Sequence, residues 1–386
     1  MFSILLVIIY MAFISLGLPD SLLGSAWPVI YRQFDVPLSY AGIVTMIIAG
    51  GTIISSLLSA RLTKKLGTGL IIAVSVMLTA AAMFGFSYSR SIISLCFWAV
   101  PYGLGAGAVD AALNNYVALH YKSRHMSWLH SFWGVGAMIS PYIMGYCLIN
   151  GSAWNLGYRT VAIIQAALTF VLFLSLPLWK QKKSTINSGE SETAALSLFQ
   201  ALKIKGVKAV MFAFFAYCAL ETTAGLWAST FLVQYRDISA ETAAVFASLF
   251  YLGITFGRFL NGFIADRIGD KRLIRLGIIV VIFGICLLIL PFGVNSLALT
   301  GLVIIGFGCA PIYPSIIHST PDNFGKQNSQ AIIGIQMASA YTGSTFMPPL
   351  FGLLAEHINV SLYPLYLLAF AVLMLLMSER LNKTIR

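Results

Sequence analysis

Three carboxyl side chains, Asp20, Asp110 and Glu221, stand inside long apolar stretches, whereas the other ten of the 13 Asp and Glu residues fall near helix ends or in polar turns. An acid at the centre of a membrane helix costs roughly 2.5–3.5 kcal/mol on insertion scales, so such residues mark ion and proton pathways more often than they serve packing. No Lys or Arg is expected at the same depth, with Arg258 placed nearer the end of its segment. A carboxyl group removed from water and unaccompanied by a cation favours its neutral form, or a bound metal cation. If the group faces first one side of a membrane and then the other, it couples ion movement to whatever moves with it.

The surroundings of these acids have ligand-like spacing. Gly103, Gly107, Asp110 and Asn114 follow i, i+4, i+7 and i+11, placing two glycines, a carboxyl and an amide along one helical stripe. The glycines admit either a ligand or a neighbouring helix to the backbone. His130 and Trp133 lie three apart, on one face of the next segment, ahead of Gly134 and Gly136. Trp133 and Trp227 read either as interfacial anchors or as stacking surfaces for a sugar ring. Gln336, with Ala340 and Gly343 on its face, is a further polar group at membrane depth.

The elements that must position these groups are helices in lipid. The chain of 386 residues is 59% hydrophobic and 10% charged, with mean hydropathy +0.86, and about 20 apolar residues make one crossing. Apolar runs interrupted by polar turns predict twelve spans, roughly 3–33, 39–61, 68–88, 92–120, 127–150, 159–179, 207–234, 240–264, 274–292, 297–318, 328–354 and 360–379. The first run lacks a basic leader and a small-residue cleavage site, so it reads as a retained span. The five cysteines stand singly, without CxxC spacing, and imply neither a metal site nor a disulfide framework.

Net charge +11 would suggest nucleic acid in a soluble protein, but here it sorts by side. Most of the 24 Lys and Arg residues, among them Arg61, Lys64, Lys65, Lys122, Arg124, Lys203, Arg267, Lys271, Arg272, Lys326 and Lys383, fall in loops on one side. Arg32, Arg90, Arg159 and Arg236 fall on the other. By the positive-inside rule the first side, with both termini, is cytoplasmic. The basic excess therefore reports topology, and no nucleic-acid partner is expected.

A polar stretch at 181–206 divides the chain into a bundle at 1–180 and a bundle at 207–386, the stretch itself reading as a cytoplasmic linker with a short surface helix near its end. The two bundles repeat. Asp20, Gly24 and Trp27 face Glu221, Gly225 and Trp227 at an offset of about 201, and basic turns ending at Gly67 and Gly269 follow at matched distances.

In the second of these turns, Gly262, Ile264, Ala265, Asp266, Arg267, Gly269, Lys271 and Arg272 resemble the loop signature G-x-[LI]-A-D-R-x-G-x-[KR]-[KR] of the major facilitator superfamily. The counterpart in the first bundle departs from it, with Lys64 where the family usually carries Asp. Four short stretches, 17–24, 103–114, 221–227 and 306–314, resemble the fucose–proton symporter branch. That resemblance implies an all-α membrane protein of twelve spans in two six-helix bundles, and an alternating-access carrier rather than an enzyme.

It further implies symport of a sugar or similar small polar solute with a proton, sodium remaining open, around a cavity lined by spans 1, 4, 5, 7, 10 and 11. Asp20, Asp110 and Glu221 would be the coupling acids, with Asp20, Asn114, His130, Trp133, Trp227 and Gln336 about the solute. Asp266 would close a structural latch with a nearby arginine, for which Arg258 is the candidate. The rival reading is a proton-coupled exporter of drugs or lipophilic cations; the stretch Gly136 to Gly145 keeps only part of the exporter motif G-x-x-x-G-P-x-x-G-G, with Ser140 and Met144 in place of two glycines. A monomer in the inner membrane, without cofactor or metal, completes the expectation.

Overall fold

Long uninterrupted apolar sequence leaves the backbone only one way to satisfy its own hydrogen bonds in lipid, which is to coil. The computed structural model describes residues 4–37, 40–149, 154–181, 198–290 and 295–385, and among them no strand occurs. The helices run α1 (Ile4–Asp20), α2 (Leu22–Gln33), α3 (Tyr40–Leu66), α4 (Thr68–Tyr88), α5 (Ile92–His120), α6 (Ser123–Ile149), α7 (Trp154–Leu174) and α8 (Leu176–Gln181). They continue with α9 (Leu198–Lys203), α10 (Val207–Arg236), α11 (Ala240–Ile268), α12 (Asp270–Ile289), α13 (Asn295–Cys309), α14 (Ile312–His318), α15 (Thr320–Phe324), α16 (Lys326–His357) and α17 (Tyr363–Thr384). Nine stretches among the described residues are long and apolar enough to cross a membrane. Helices α6, α11 and α16, of 27, 29 and 32 residues, have the length for three further crossings. The chain is an all-α membrane protein, in keeping with the twelve spans expected.

Two spans expected to be continuous are broken, and proline is the reason. The first divides at Ser21 into α1 and α2. Pro19 has no N–H to give the carbonyl four residues back, and that carbonyl, of Ser15, instead accepts a hydrogen bond from Gln165 Nε2 of α7 at 2.8 Å. The tenth span divides into α13 and α14 around Ala310 and Pro311. A third proline, Pro141 in α6, likewise frees the carbonyl of Ala137. Ser21 Oγ, at the break in the first span, donates to it at 2.6 Å. The proline defects thus become joints between helices.

Contacts divide the chain into two compact units, one of Met1–Tyr116 with Leu129–Ser197 and one of Val117–Trp128 with Leu198–Arg386. In the first, α4 packs along α7, and α1 also lies against α7. Helices α3 and α5 meet so closely that a Cβ on Gly103 would lie 2.3 Å from the carbonyl oxygen of Ile48, and one on Gly107 2.2 Å from that of Thr52. The glycine stripe of α5 is therefore a helix–helix seam. In the second unit α10 packs against α16 and α17, and α12 against α13.

The internal repeat is visible in backbone angles. Gly67, between α3 and α4, has φ 84° and ψ 152°; Gly269, between α11 and α12, has φ 82° and ψ 149°. This positive-φ corner suits glycine, and the two turns share it although their side chains differ. Of the expected linker, residues 182–197 lie outside the described residues; its far end forms α9, Leu198–Lys203.

Candidate functional site

Asp20 is the last residue of α1, set where the span breaks. Its Oδ1 accepts the Tyr102 hydroxyl of α5 at 2.8 Å, and its Oδ2 accepts the Trp133 indole N–H of α6 at 2.9 Å. Both donors come from neighbouring helices, and among the described residues no cation pairs with this carboxylate. Asp20 keeps part of its surface outside the protein, while two donors fix the direction of its carboxylate.

Helix α6 reaches this position because two glycines let it. A Cβ on Gly17 would fall 2.1 Å from the carbonyl oxygen of Trp133, and one on Gly136 2.0 Å from that of Ile14. Only hydrogen at both positions permits the α1–α6 approach that carries the indole to Asp20.

One turn before Trp133, His130 serves the second acid. Asp110 is 4% exposed, Asn114 0% and His130 5%. Asn114 Nδ2 donates to Asp110 Oδ1 at 2.8 Å and to the Asp110 carbonyl at 3.0 Å. With its amide nitrogen committed to acceptors, Asn114 turns Oδ1 toward His130 Nε2, 3.0 Å away, so that ring nitrogen carries the hydrogen and donates. Phe13 meets the imidazole in a T-shaped contact, 5.3 Å between ring centroids. A single face of α6 thus serves both Asp20, through Trp133, and Asp110, through His130 and Asn114 of α5.

Glu221 departs from expectation. It is not stranded without a basic partner: Arg258 Nη2 lies 3.3 Å from its Oε1 and donates to the Tyr217 hydroxyl at 3.2 Å. Arg258 stands ten residues before the end of α11, about 15 Å along the axis, deeper than the sequence reading placed it. The same geometry removes it from the latch, since Asp266 pairs with Arg124 instead. Gln336 is fully buried, 3.0 Å from Thr320 Oγ1. Trp227 donates to the Pro348 carbonyl at 2.9 Å and meets Phe351 edge-on, a packed setting rather than an open stacking surface.

These features now stand beside known proteins. A family described as the Major Facilitator Superfamily matches residues 9–247 and 209–379. The chain belongs to the major facilitator superfamily. It is 23% identical over 320 residues to the glucose/mannose transporter GlcP of Bacillus subtilis, covering 79% of this chain and 77% of that one. Its fold is similar to that of the proton:xylose symporter XylE, with TM-score 0.79 at 12% identity over 99% and 95% of the two chains. It is also similar to FucP, the fucose:proton symporter of E. coli, with TM-score 0.74 at 15% identity over 98% of each.

The loop signature of this superfamily member organises the segment Val117–Trp128 within the second unit. Asp266 accepts the Arg124 backbone N–H at 3.1 Å as well as its guanidinium. Gly262 makes room for Trp128, whose Nε1 would lie 2.1 Å from a Cβ there. Asn261 Nδ2 donates to Ser127 Oγ at 2.8 Å. Gly269 supplies the corner that starts α12, and Arg267 lies in the last turn of α11.

Sequence reasoning missed Tyr102 and the Arg258–Glu221 pairing. Tyr102 had a usable signal, because it directly precedes Gly103 at the start of the glycine stripe. Trp133→Phe keeps the ring of the facilitator's α6 aromatic and removes one of the two donors on Asp20. Hydrogen bonds to charged groups are worth about 1.5–3 kcal/mol. The expected result is a half-saturation concentration about tenfold higher for the transported solute, at unchanged membrane level, read from uptake against solute concentration. An unchanged value would show that the orientation of Asp20 is immaterial.

Proposed function

We propose that this superfamily member is a proton-coupled symporter that carries a sugar or similar small polar solute by alternating access. It would lie in the inner membrane with both termini and the central linker cytoplasmic, and the two repeats would fall at 1–180 and 207–386. The observation that carries this reading is the pair of acids held by α6. Asp20 is exposed at the break in the first span and oriented by Tyr102 and Trp133; Asp110 is buried beside Asn114 and His130. An accessible carboxylate with fixed geometry suits hydroxyl groups, which donate to it. A buried carboxyl suits a proton that must be kept from leaking. Asp110 is then the proton carrier, and Asp20 binds the solute or shares the proton.

The relatives support the solute class, since the printed names include a glucose/mannose transporter, a proton:xylose symporter and a fucose:proton symporter. The test is uptake into sealed vesicles holding the purified protein, with labelled glucose, mannose, xylose, fucose and glucuronate and a lipophilic cation, under separately imposed pH and sodium gradients. Accumulation of at least one of these sugars or of the sugar acid driven by inward protons is the expected result. Extrusion of the cation, or accumulation driven by sodium alone, would overturn the proton-symport reading.

A further inference from the structure

The second unit contains an ionisable cluster that the reading above leaves without a task. Glu221, fourteen residues into α10, pairs with Arg258 of α11, which also donates to the Tyr217 hydroxyl of α10. That hydroxyl donates to the Cys309 carbonyl of α13, Tyr251 of α11 sets its hydroxyl against Gly225 one turn on from Glu221, and Tyr313 of α14 lies under the guanidinium, 5.8 Å from ring centroid to Arg258 Cζ. Arg258 is the cation of this group. Its side chain is 4% exposed and that of Glu221 17%.

A buried ion pair is worth keeping as structure only when geometry and hydrogen bonding are close to ideal, because desolvation otherwise outweighs the attraction. The same chain shows what a well-made pair looks like. At the protein surface Arg275 grips Glu379 with Nε and Nη2, both at 2.7 Å. Buried Arg258 does far less: one nitrogen, Nη2, serves both Glu221 at 3.3 Å and Tyr217 at 3.2 Å, and Nε has no hydrogen-bond partner. A guanidinium that presents a planar fork, is always charged and lies in low dielectric demands a two-pronged oxyanion. Glu221 supplies a single long contact.

We propose that Arg258 is the recognition group for a carboxylate on the transported solute, with Glu221 as the counter-ion that gives way to it. In the solute-free state Glu221 neutralises Arg258. When the solute enters as an anion its carboxylate takes the Nε and Nη edge of Arg258, and Glu221 accepts a proton from water. The charge of the cluster is zero before and after, so no bare charge is left buried, and one proton enters with each solute anion. The solute class is thereby narrowed to sugar acids and other small carboxylates of hexose size. The inference rests on the transporter reading for its direction but only on the cluster for its chemistry.

The experiment is equilibrium binding to the full-length purified chain, read as the shift in melting temperature, with D-glucuronate and D-galacturonate as probes against D-glucose and D-galactose, at acid and at neutral pH. The wild type is expected to be stabilised by the two hexuronates, at least tenfold more tightly at acid pH, and not by the neutral sugars. Glu221→Gln is expected to bind the hexuronates equally at both pH values. Arg258→Met combined with Glu221→Gln replaces the pair by neutral groups of similar size and is expected to melt near the wild type while losing hexuronate binding at least tenfold. If that double variant does not fold, the pH response of Glu221→Gln still decides.

Equal stabilisation by a neutral sugar and its acid overturns the inference. So does retention of hexuronate binding in the double variant, retained pH dependence in Glu221→Gln, or no hexuronate response in the wild type. Those results leave proton-driven uptake of a neutral sugar untouched, whereas binding without any proton-driven uptake sinks the symport reading alone.

Discussion

Asp110→Asn is expected to cost the carrier about tenfold in the solute accumulation that a one-unit pH gradient supports. The replacement has the same shape, and its amide oxygen can still accept from Asn114 Nδ2, which lies 2.8 Å from Asp110 Oδ1. What it loses is the ability to carry a proton. An inward gradient of one pH unit is worth about 1.4 kcal/mol per proton, enough for about tenfold accumulation of a solute that enters with one proton. In vesicles the variant should accumulate the solute about tenfold less than the wild type under that gradient, having lost the Asp110 proton, while still exchanging labelled for unlabelled solute. Uphill accumulation by the variant equal to that of the wild type would remove Asp110 from the coupling role.

The second large effect is expected from one methyl group. Gly136→Ala places a Cβ 2.0 Å from the Ile14 carbonyl oxygen and 3.1 Å from the Leu18 nitrogen. These are backbone atoms, so no side chain can swing aside and α6 must retreat from α1. The retreat breaks the Trp133 bond to Asp20 and the Ser21 bond to the Ala137 carbonyl together. Overpacking of this kind costs about 1–3 kcal/mol. The expected outcome is a lower melting temperature with transport reduced at least tenfold. Gly145→Ala, on the same helix with nothing within 4 Å of its Cβ, should behave as the wild type. If both variants transport equally, the α1–α6 approach does not set the site.

Particular residues show which parts of this architecture could be read in the sequence. The spans followed from hydropathy because lipid leaves a backbone so few options, and the recurring turns that end at Gly67 and Gly269 followed from the internal repeat. Asp20, Asp110, Asn114, His130 and Trp133 were identifiable one by one, since helical spacing places His130 and Trp133 on one face and Asp110 with Asn114 on another.

The partner of Glu221 was not readable. Arg258 lies 37 positions away on a different helix, and its facing depends on how α11 is rotated against α10, which no local pattern encodes. The breaks at Ser21 and Pro311 were within reach, because Pro19 and Pro311 stand in the affected stretches, but a proline is tolerated in a membrane helix, and whether it bends or breaks one depends on whether neighbours such as Gln165 rescue the freed carbonyl.

The segment Val117–Trp128 belongs with the second unit although it is made before any other part of that unit. Arg124 emerges from the ribosome 142 residues ahead of Asp266, and Ser127 precedes Asn261 by 134. During synthesis these polar groups have to stay hydrated until their partners exist, so the second unit is completed only when an early stretch of nascent chain is captured by a late one. Biogenesis of this carrier therefore includes a long-range closure, and a ribosome stalled before the eighth span emerges would leave the early stretch waiting in water.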